Sequence, residues 1–235
     1  MPPPEPPARL AGVHPPDRPG LPRGRSRLPG EVVRRAQRER LARGVIAAVA
    51  EKGFARTTVT DVVKRARVSR DVFYAHFGGL GDCFLGATAA ATRLVNERLF
   101  TASEEIREAH EAAGRPWDAA ASLRAAVRAY LALCAQEPEY TRCLAFELPA
   151  AGPEGLRMDA ENARGFAALL RLWHERAAAA APGLAPADEE VCLAAVGAVA
   201  ALVRSHLAAG TTALLPARED AVLTILLRLL AAPAP

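Results

Sequence analysis

The residues of this chain best suited to chemistry stand between positions 57 and 77, and the chemistry they suit is recognition of a polyanion. Ser69-Arg70-Asp71-Val72-Phe73-Tyr74-Ala75-His76-Phe77 sets short polar side chains ahead of two aromatics four residues apart. A helix that enters a DNA groove needs short or polar side chains at its start, where base edges and phosphates are met. Arg70 is the natural base reader, since a guanidinium can bond a guanine edge through two N–H groups. Ser69, Tyr74 and His76 can donate to phosphate oxygens, as can Thr57, Thr58 and the helix start beside them. Asp71 accompanies Arg70 on the first turn, and Val72 can touch a thymine methyl. Phe73 and Phe77 are expected to pack inward.

Other chemistries lack their parts. His174-Glu175 has no second histidine to complete a zinc-protease pair. No Gly-x-Ser-x-Gly elbow, no phosphate-cradling glycine loop and no Cys/His cluster with metal-ligand spacing occurs, so neither cofactor nor metal is expected and the chain does not read as an enzyme. Cys83, Cys134, Cys143 and Cys192 form no CxxC pair and read as buried, reduced thiols of a cytoplasmic protein. A redox sensor built on Cys134 and Cys143 is the less favoured alternative.

The elements that must position the polyanion-binding residues follow from caps and periodicity. Glu31 to Lys52 carries Leu41, Val45, Ala48 and Val49 at helical spacing and stops at Gly53. Thr58 followed by Asp61 resembles a capping box, with Val59, Val62 and Val63 directed inward. Ser69 caps a second short helix running to Phe77. Two short capped helices about three residues apart make a helix-turn-helix. Beyond Gly81 the breakers predict helices over 82–112, 117–136, 138–149, 153–180, 186–209 and 217–231. No stretch alternates with period two, so the fold class is all-α.

Charge distribution agrees. Residues 1–76 hold 16 Lys and Arg against 7 Asp and Glu, a net of +9, whereas residues 77–235 hold 14 against 19, a net of −5. A basic front on an acidic rear points one end of the molecule at a polyanion. Residues 1–30 contain ten of the nineteen prolines and are expected to form a disordered arm. Arg23, Arg25 and Arg27 at its end could touch a DNA backbone or minor groove; a plain solvated tail is the competing reading. The longest apolar run, Val191 to Val203, is 13 residues and reads as a buried helix rather than a membrane span.

The segment GFARTTVTDVVKRARVSRDVFYAHF resembles the tetracycline-repressor (TetR) family. The match rests on a Gly-aromatic helix end, Thr-Thr-Val, Val-Ser, and an aromatic-Tyr-x-His-Phe run. The resemblance implies a three-helix DNA-binding domain over 31–79 after the arm of 1–30, then a ligand-binding, dimerising helical domain over 80–235. It places the family's phosphate-contacting Tyr and His on Tyr74 and His76. Two positions depart from the family: Arg67 stands where the turn usually has glycine, and Gly79-Leu80-Gly81 replaces a stretch that usually carries a phosphate-binding lysine.

In the second domain, Leu193, Val196, Ala200, Val203 and Leu207 form one narrow seam, and Val222, Ile225, Leu226 and Leu229 another, with Gly197 permitting close approach. The resemblance implies that these two helices pair with their mates in a homodimer; an internal core seam is the alternative. Trp117, Tyr130, Phe146, Met158, Phe166, Leu170 and Trp173 could line an effector site, with Glu147 and His174 orienting a polar group, although aromatics at helical spacing also make ordinary core. The function implied is a ligand-responsive regulator, a repressor released from a palindromic double-stranded operator by a largely apolar small molecule. An activator on the same fold, or a helical ligand-binding protein without DNA binding, are the alternatives.

Overall fold

A computed structural model describes residues 29–180 and 187–230; of the arm expected at residues 1–30, positions 1–28 with Arg23, Arg25 and Arg27 lie outside them. Among the described residues every regular element is helical, as the absence of period-two alternation predicts. The order is α1 (Gly30–Lys52), α2 (Val59–Ala66), α3 (Arg70–His76), α4 (Leu80–Ala112), α5 (Ala119–Gln136), α6 (Pro138–Arg142), α7 (Pro153–Ala180), α8 (Glu189–Ala208) and α9 (Glu219–Leu230). A 3-10 turn at Phe54–Arg56 joins α1 to α2, and a longer one at Thr212–Arg218 leads into α9.

The chain divides into two compact units. The first comprises residues up to Ala91 together with Glu139–Leu156; the second comprises Thr92–Pro138 and the chain from Arg157 onward. In the first unit, Leu41, Val45 and Val49 of α1, Val62 of α2, Phe73 of α3 and Phe84 of α4 are fully buried. They are the apolar positions at helical spacing, and removing that surface from water is what holds these four helices together. Gly53 ends α1 with φ at 81°, a conformation that disfavours any side chain.

The breakers predict one helix over 138–149, and the chain does not form it. After the single turn of α6 the chain widens into a π turn over Cys143–Glu147, where the Leu148 N–H reaches the Cys143 carbonyl at 2.8 Å, then tightens into a 3-10 turn at Pro149–Ala151. Such widened turns are rare and re-aim the side chains they carry. Gly155 lets the following helix fold back closely, since a Cβ there would stand 2.1 Å from the Leu148 carbonyl oxygen.

In the second unit the core joins Leu123, Val127, Leu131 and Cys134 of α5 with Ala167 and Leu170 of α7, Cys192, Ala195, Val199 and Val203 of α8, and Val222, Leu223 and Leu226 of α9. Arg124 bonds Glu219 (2.9 Å) and Asp220 (2.6 Å), and Arg128 bonds Glu219 (2.8 Å), clamping α5 to the start of α9. Two indoles hold the start of α5: Trp117 donates to the Ser122 hydroxyl at 2.6 Å and Trp173 to the Ala119 carbonyl at 2.9 Å.

Candidate nucleic-acid interface

The two short helices are built as their caps demand. The Thr58 hydroxyl accepts from the Asp61 N–H at 3.3 Å, while the Asp61 carboxylate accepts from the Thr58 N–H at 3.0 Å, closing a reciprocal box. Lys52, bonded to Asp61 at 2.5 Å, and then Thr58 hold that carboxyl down at about 2, so the cap stays ionised. At α3 the Ser69 hydroxyl accepts from the Val72 N–H at 3.2 Å. Between them Arg67 is the turn residue, left-handed at φ 53° and ψ 47°. It is the one non-glycine residue with positive φ among those described.

On these elements most of the residues picked from sequence are open to solvent. Thr58, Ser69, Arg70, Asp71 and Tyr74 are exposed, Tyr74 by 58%, and Val72 is half-buried beside them. Phe73 is fully buried and Phe77 nearly so, as their spacing predicts. Arg70 donates to the Thr60 hydroxyl of α2 at 2.5 Å, a neutral partner that sequence reasoning missed and that holds the guanidinium on the exposed side. Lys64, Arg67 and Arg70 make no ion pair among the described residues, whereas Lys52 and Arg65 are paired with Asp61 and Glu51.

Three residues are placed otherwise than expected. Thr57 is buried, and its hydroxyl donates to the Gly53 carbonyl at 2.8 Å, so it braces the end of α1 instead of facing a phosphate. The Thr58 hydroxyl proton goes to Asp61 at 2.8 Å, which leaves the backbone N–H groups of the first turn of α2 as the outward donors there. His76 is half-buried with Nε2 3.1 Å from the Gln37 side-chain oxygen. With Nε2 donating to that oxygen, Nδ1 of the neutral ring is an acceptor.

Burial, and then Arg38 and Arg34, push the His76 imidazole below its ordinary 6.5. The unfolded chain therefore takes up this proton before the folded one does. Stability from this group is complete above pH 6.5 and is lost as pH falls through the lower folded value. Thermal midpoints measured between pH 7 and 5 should fall more steeply for the wild type than for His76→Gln; parallel curves would refute the assignment.

Phe146 and Glu147 were grouped by sequence with the aromatics of the middle helices. Both belong to the first unit, whereas Tyr130, Phe166, Leu170 and Trp173 belong to the second. Glu147 is buried on the π turn, and its carboxylate accepts from the Phe54 N–H at 2.9 Å, with Arg142 at 3.5 Å. It thereby caps the 3-10 turn that leads from α1 into the helix-turn-helix, while Arg142 lies over the Phe146 ring at 5.8 Å. Tyr140 and Cys143, both buried, tie the same segment to the Thr88 and Ile46 carbonyls. Glu147→Ala should destabilise the first unit by about 1–2 kcal/mol, since Phe54 is only half-buried and water can take part of the bond. Glu147→Gln, which keeps an acceptor, should lose less. Faster amide exchange at Phe54 in the alanine variant alone is the expected readout.

In the second unit, Tyr130 and Phe166 meet edge to face with centroids 6.0 Å apart, and Tyr130 and Trp173 pack on the core that contains Leu170. Met158 is half-buried on α7. His174 is buried, its Nδ1 accepting from the Ala187 N–H at 3.2 Å, which leaves a protonated Nε2 without an acceptor. Asn96 Oδ1 and Asn162 Nδ2 are likewise buried and unsatisfied, and Asn96 faces α7 at Gly165. These asparagines were not legible as site residues, because nothing in their spacing marks them.

The seam residues divide between two surroundings. Val203, Val222 and Leu226 lie in the core of their own unit and Val196, Ala200, Leu207 and Ile225 are half-buried, whereas Leu193, Gly197 and Leu229 are exposed. All four cysteines are buried and free, and burial pushes Cys83 up to about 12 and raises Cys143 and Cys192, which leaves these three inert as nucleophiles.

Two capped helices around a turn, with an exposed cationic start to the second, define a helix-turn-helix DNA-binding protein. Residues 46–85 match the sequence model of the bacterial regulatory proteins of the tetR family. Solved structures share the fold across most of the chain. The fatty acid degradation regulator FadR of Bacillus halodurans is 17% identical with a TM-score of 0.66, over 81% of this chain and 94% of that one. The transcriptional regulator FadR of Bacillus subtilis, solved in complex with stearoyl-CoA, is 18% identical with a TM-score of 0.68, over 80% and 96%. A tetR-family regulatory protein of Rhodococcus RHA1 is 19% identical with a TM-score of 0.63, over 84% and 98%. No curated protein matches the chain.

Proposed function

We propose that this regulator is a cytoplasmic, homodimeric repressor that leaves a palindromic operator when a small molecule binds its second unit. The observation that carries the reading is the exposed face of α3, where Arg70 and Tyr74 project and, among the described residues, no acidic side chain pairs with Lys64, Arg67 or Arg70. Two such faces related by a two-fold axis read half-sites centred about 34–36 Å apart. The apolar exposed residues of α8 and α9, Leu193, Leu227 and Leu229, support the dimer. By length and composition α8 could also cross a membrane, yet its other face packs Cys192, Ala195, Val199 and Val203 into the core, and a helix apolar on both sides suits burial against a second copy.

The effector reading rests on Tyr130, Phe166, Leu170 and Trp173 with the unsatisfied polar atoms of Asn96, Asn162 and His174: an apolar molecule carrying a few hydrogen-bonding groups. The stearoyl-CoA held by the Bacillus subtilis regulator shares with that description its acyl chain, not its polyanionic coenzyme A half. Such a ligand releases DNA only by as much as it favours the non-binding arrangement. The test is selection of genomic fragments by the purified protein, with Arg70→Ala as control. Enrichment of an inverted repeat by the wild type alone supports the reading. Equal enrichment by both proteins defeats it.

A further inference from the structure

We propose that Arg67 is a phosphate contact, and that its guanidinium is the reason a side chain occupies the left-handed turn between α2 and α3. The inference rests on the helix-turn-helix reading above. Three observations carry it. Arg67 sits at φ 53°, ψ 47°, a conformation in which a Cβ crowds the backbone and which glycine adopts freely. Its backbone role, an N–H donated to the Val63 carbonyl, needs no side chain at all. The side chain is exposed and makes no hydrogen bond or ion pair among the described residues, so it contributes nothing visible to the fold that would offset the strain.

Its position supplies the function. Lys64, Arg67 and Arg70 fall at three-residue intervals across the turn, all exposed and none paired with an acid, although neighbouring Arg65 and Lys52 are paired. Three uncompensated cations within seven residues repel one another and persist where a polyanion faces them. Arg70 opens the recognition helix, so the residue three before it lies close to the strand flanking the groove. Arg67 therefore adds affinity that does not depend on sequence, whereas Arg70 discriminates bases. Strain held at a binding position is a familiar arrangement, the surrounding fold enforcing it.

The experiment uses the full chain and a duplex of about 30 base pairs carrying the inverted repeat enriched by the wild type, with binding followed by fluorescence anisotropy over a series of KCl concentrations. Arg67→Gly should raise the thermal midpoint by roughly 2–4 °C, because the turn relaxes. The same substitution should weaken binding about tenfold and flatten the slope of log K against log salt by about 0.9 for each phosphate no longer neutralised, with base preference unchanged. Arg67→Lys should recover most of the affinity and the slope. If Arg67→Gly binds as tightly as the wild type with the same slope, while Arg70→Ala loses sequence preference, the phosphate role is wrong and the helix-turn-helix reading stands. If the wild type enriches no sequence, both fail together.

Discussion

Phe73→Ala is expected to melt the DNA-binding unit well before the rest of the molecule, at a cost of about 3–5 kcal/mol. The ring is fully buried beneath α3, with its centroid 5.9 Å from that of Phe77 and 5.3 Å from that of Tyr74. α3 has seven residues, far fewer than an isolated helix needs to persist in water, so its order comes from this anchor and the Ser69 cap. A loss of that size consumes a large part of the roughly 5–15 kcal/mol that holds a typical domain folded. Both tryptophans lie in the second unit, which separates the signals. Helical circular dichroism should show an early transition in the variant while tryptophan emission does not. A single transition at the wild-type temperature would disprove the anchoring role.

Arg70→Ala has the next largest expected effect, this time on binding and not on stability. A guanidinium bonding a guanine edge through two N–H groups contributes about 1–3 kcal/mol of discrimination, and the proposed dimer would use it twice. Arg70 is exposed and bonds only the Thr60 hydroxyl among the described residues, so its removal leaves no buried group unsatisfied and the fold should be unchanged. The variant should bind the operator about ten- to a hundredfold less tightly per half-site and should tolerate a changed base at one position of it. Tyr74→Phe is the contrast: loss of one phosphate bond, about 1 kcal/mol, with sequence preference intact. Competition between the operator and single-base variants of it reads both effects, and an Arg70→Ala protein that keeps full preference would remove Arg70 from the reading set.

Much of the helix-turn-helix was legible because local rules produce it. Thr58, Asp61 and Ser69 are capping residues whose hydrogen bonds close within three positions, and the valines and phenylalanines behind them follow helical spacing. Helix boundaries likewise follow Gly53, Pro138 and Pro153, residues that act on their own backbone. What escaped was set by contacts distant in the chain. Thr57 is chemically as suitable for a phosphate as Thr58, and only the packing of α1 against α2 decides that its hydroxyl turns inward to Gly53. His76 has the right type and place, but Gln37, 39 residues earlier, takes its proton. Glu147 looked like a polar group amid apolar helices, which it is; its partner Phe54 stands 93 residues away, and no periodicity reports that. The unsatisfied atoms of Asn96, Asn162 and His174 are visible only as a balance of donors and acceptors in three dimensions.

The capping of Phe54 by Glu147 also bears on how the molecule is made. The first unit has the chain in two pieces, and its second piece, Glu139–Leu156, is synthesised only after the whole of α4 and α5. A nascent chain with α1, α2 and α3 already outside the ribosome thus holds the buried faces of Ile46 and the Phe54 turn without their cover while roughly 60 further residues are added, several seconds at about 5–20 residues per second. Closing that loop sets contacts of high sequence separation late in folding, which slows it and exposes apolar surface meanwhile. The DNA-reading head is therefore expected to mature last among its own parts, and a fragment ending near residue 91 is expected to behave as a partly folded, sticky species and not as a free-standing DNA-binding module.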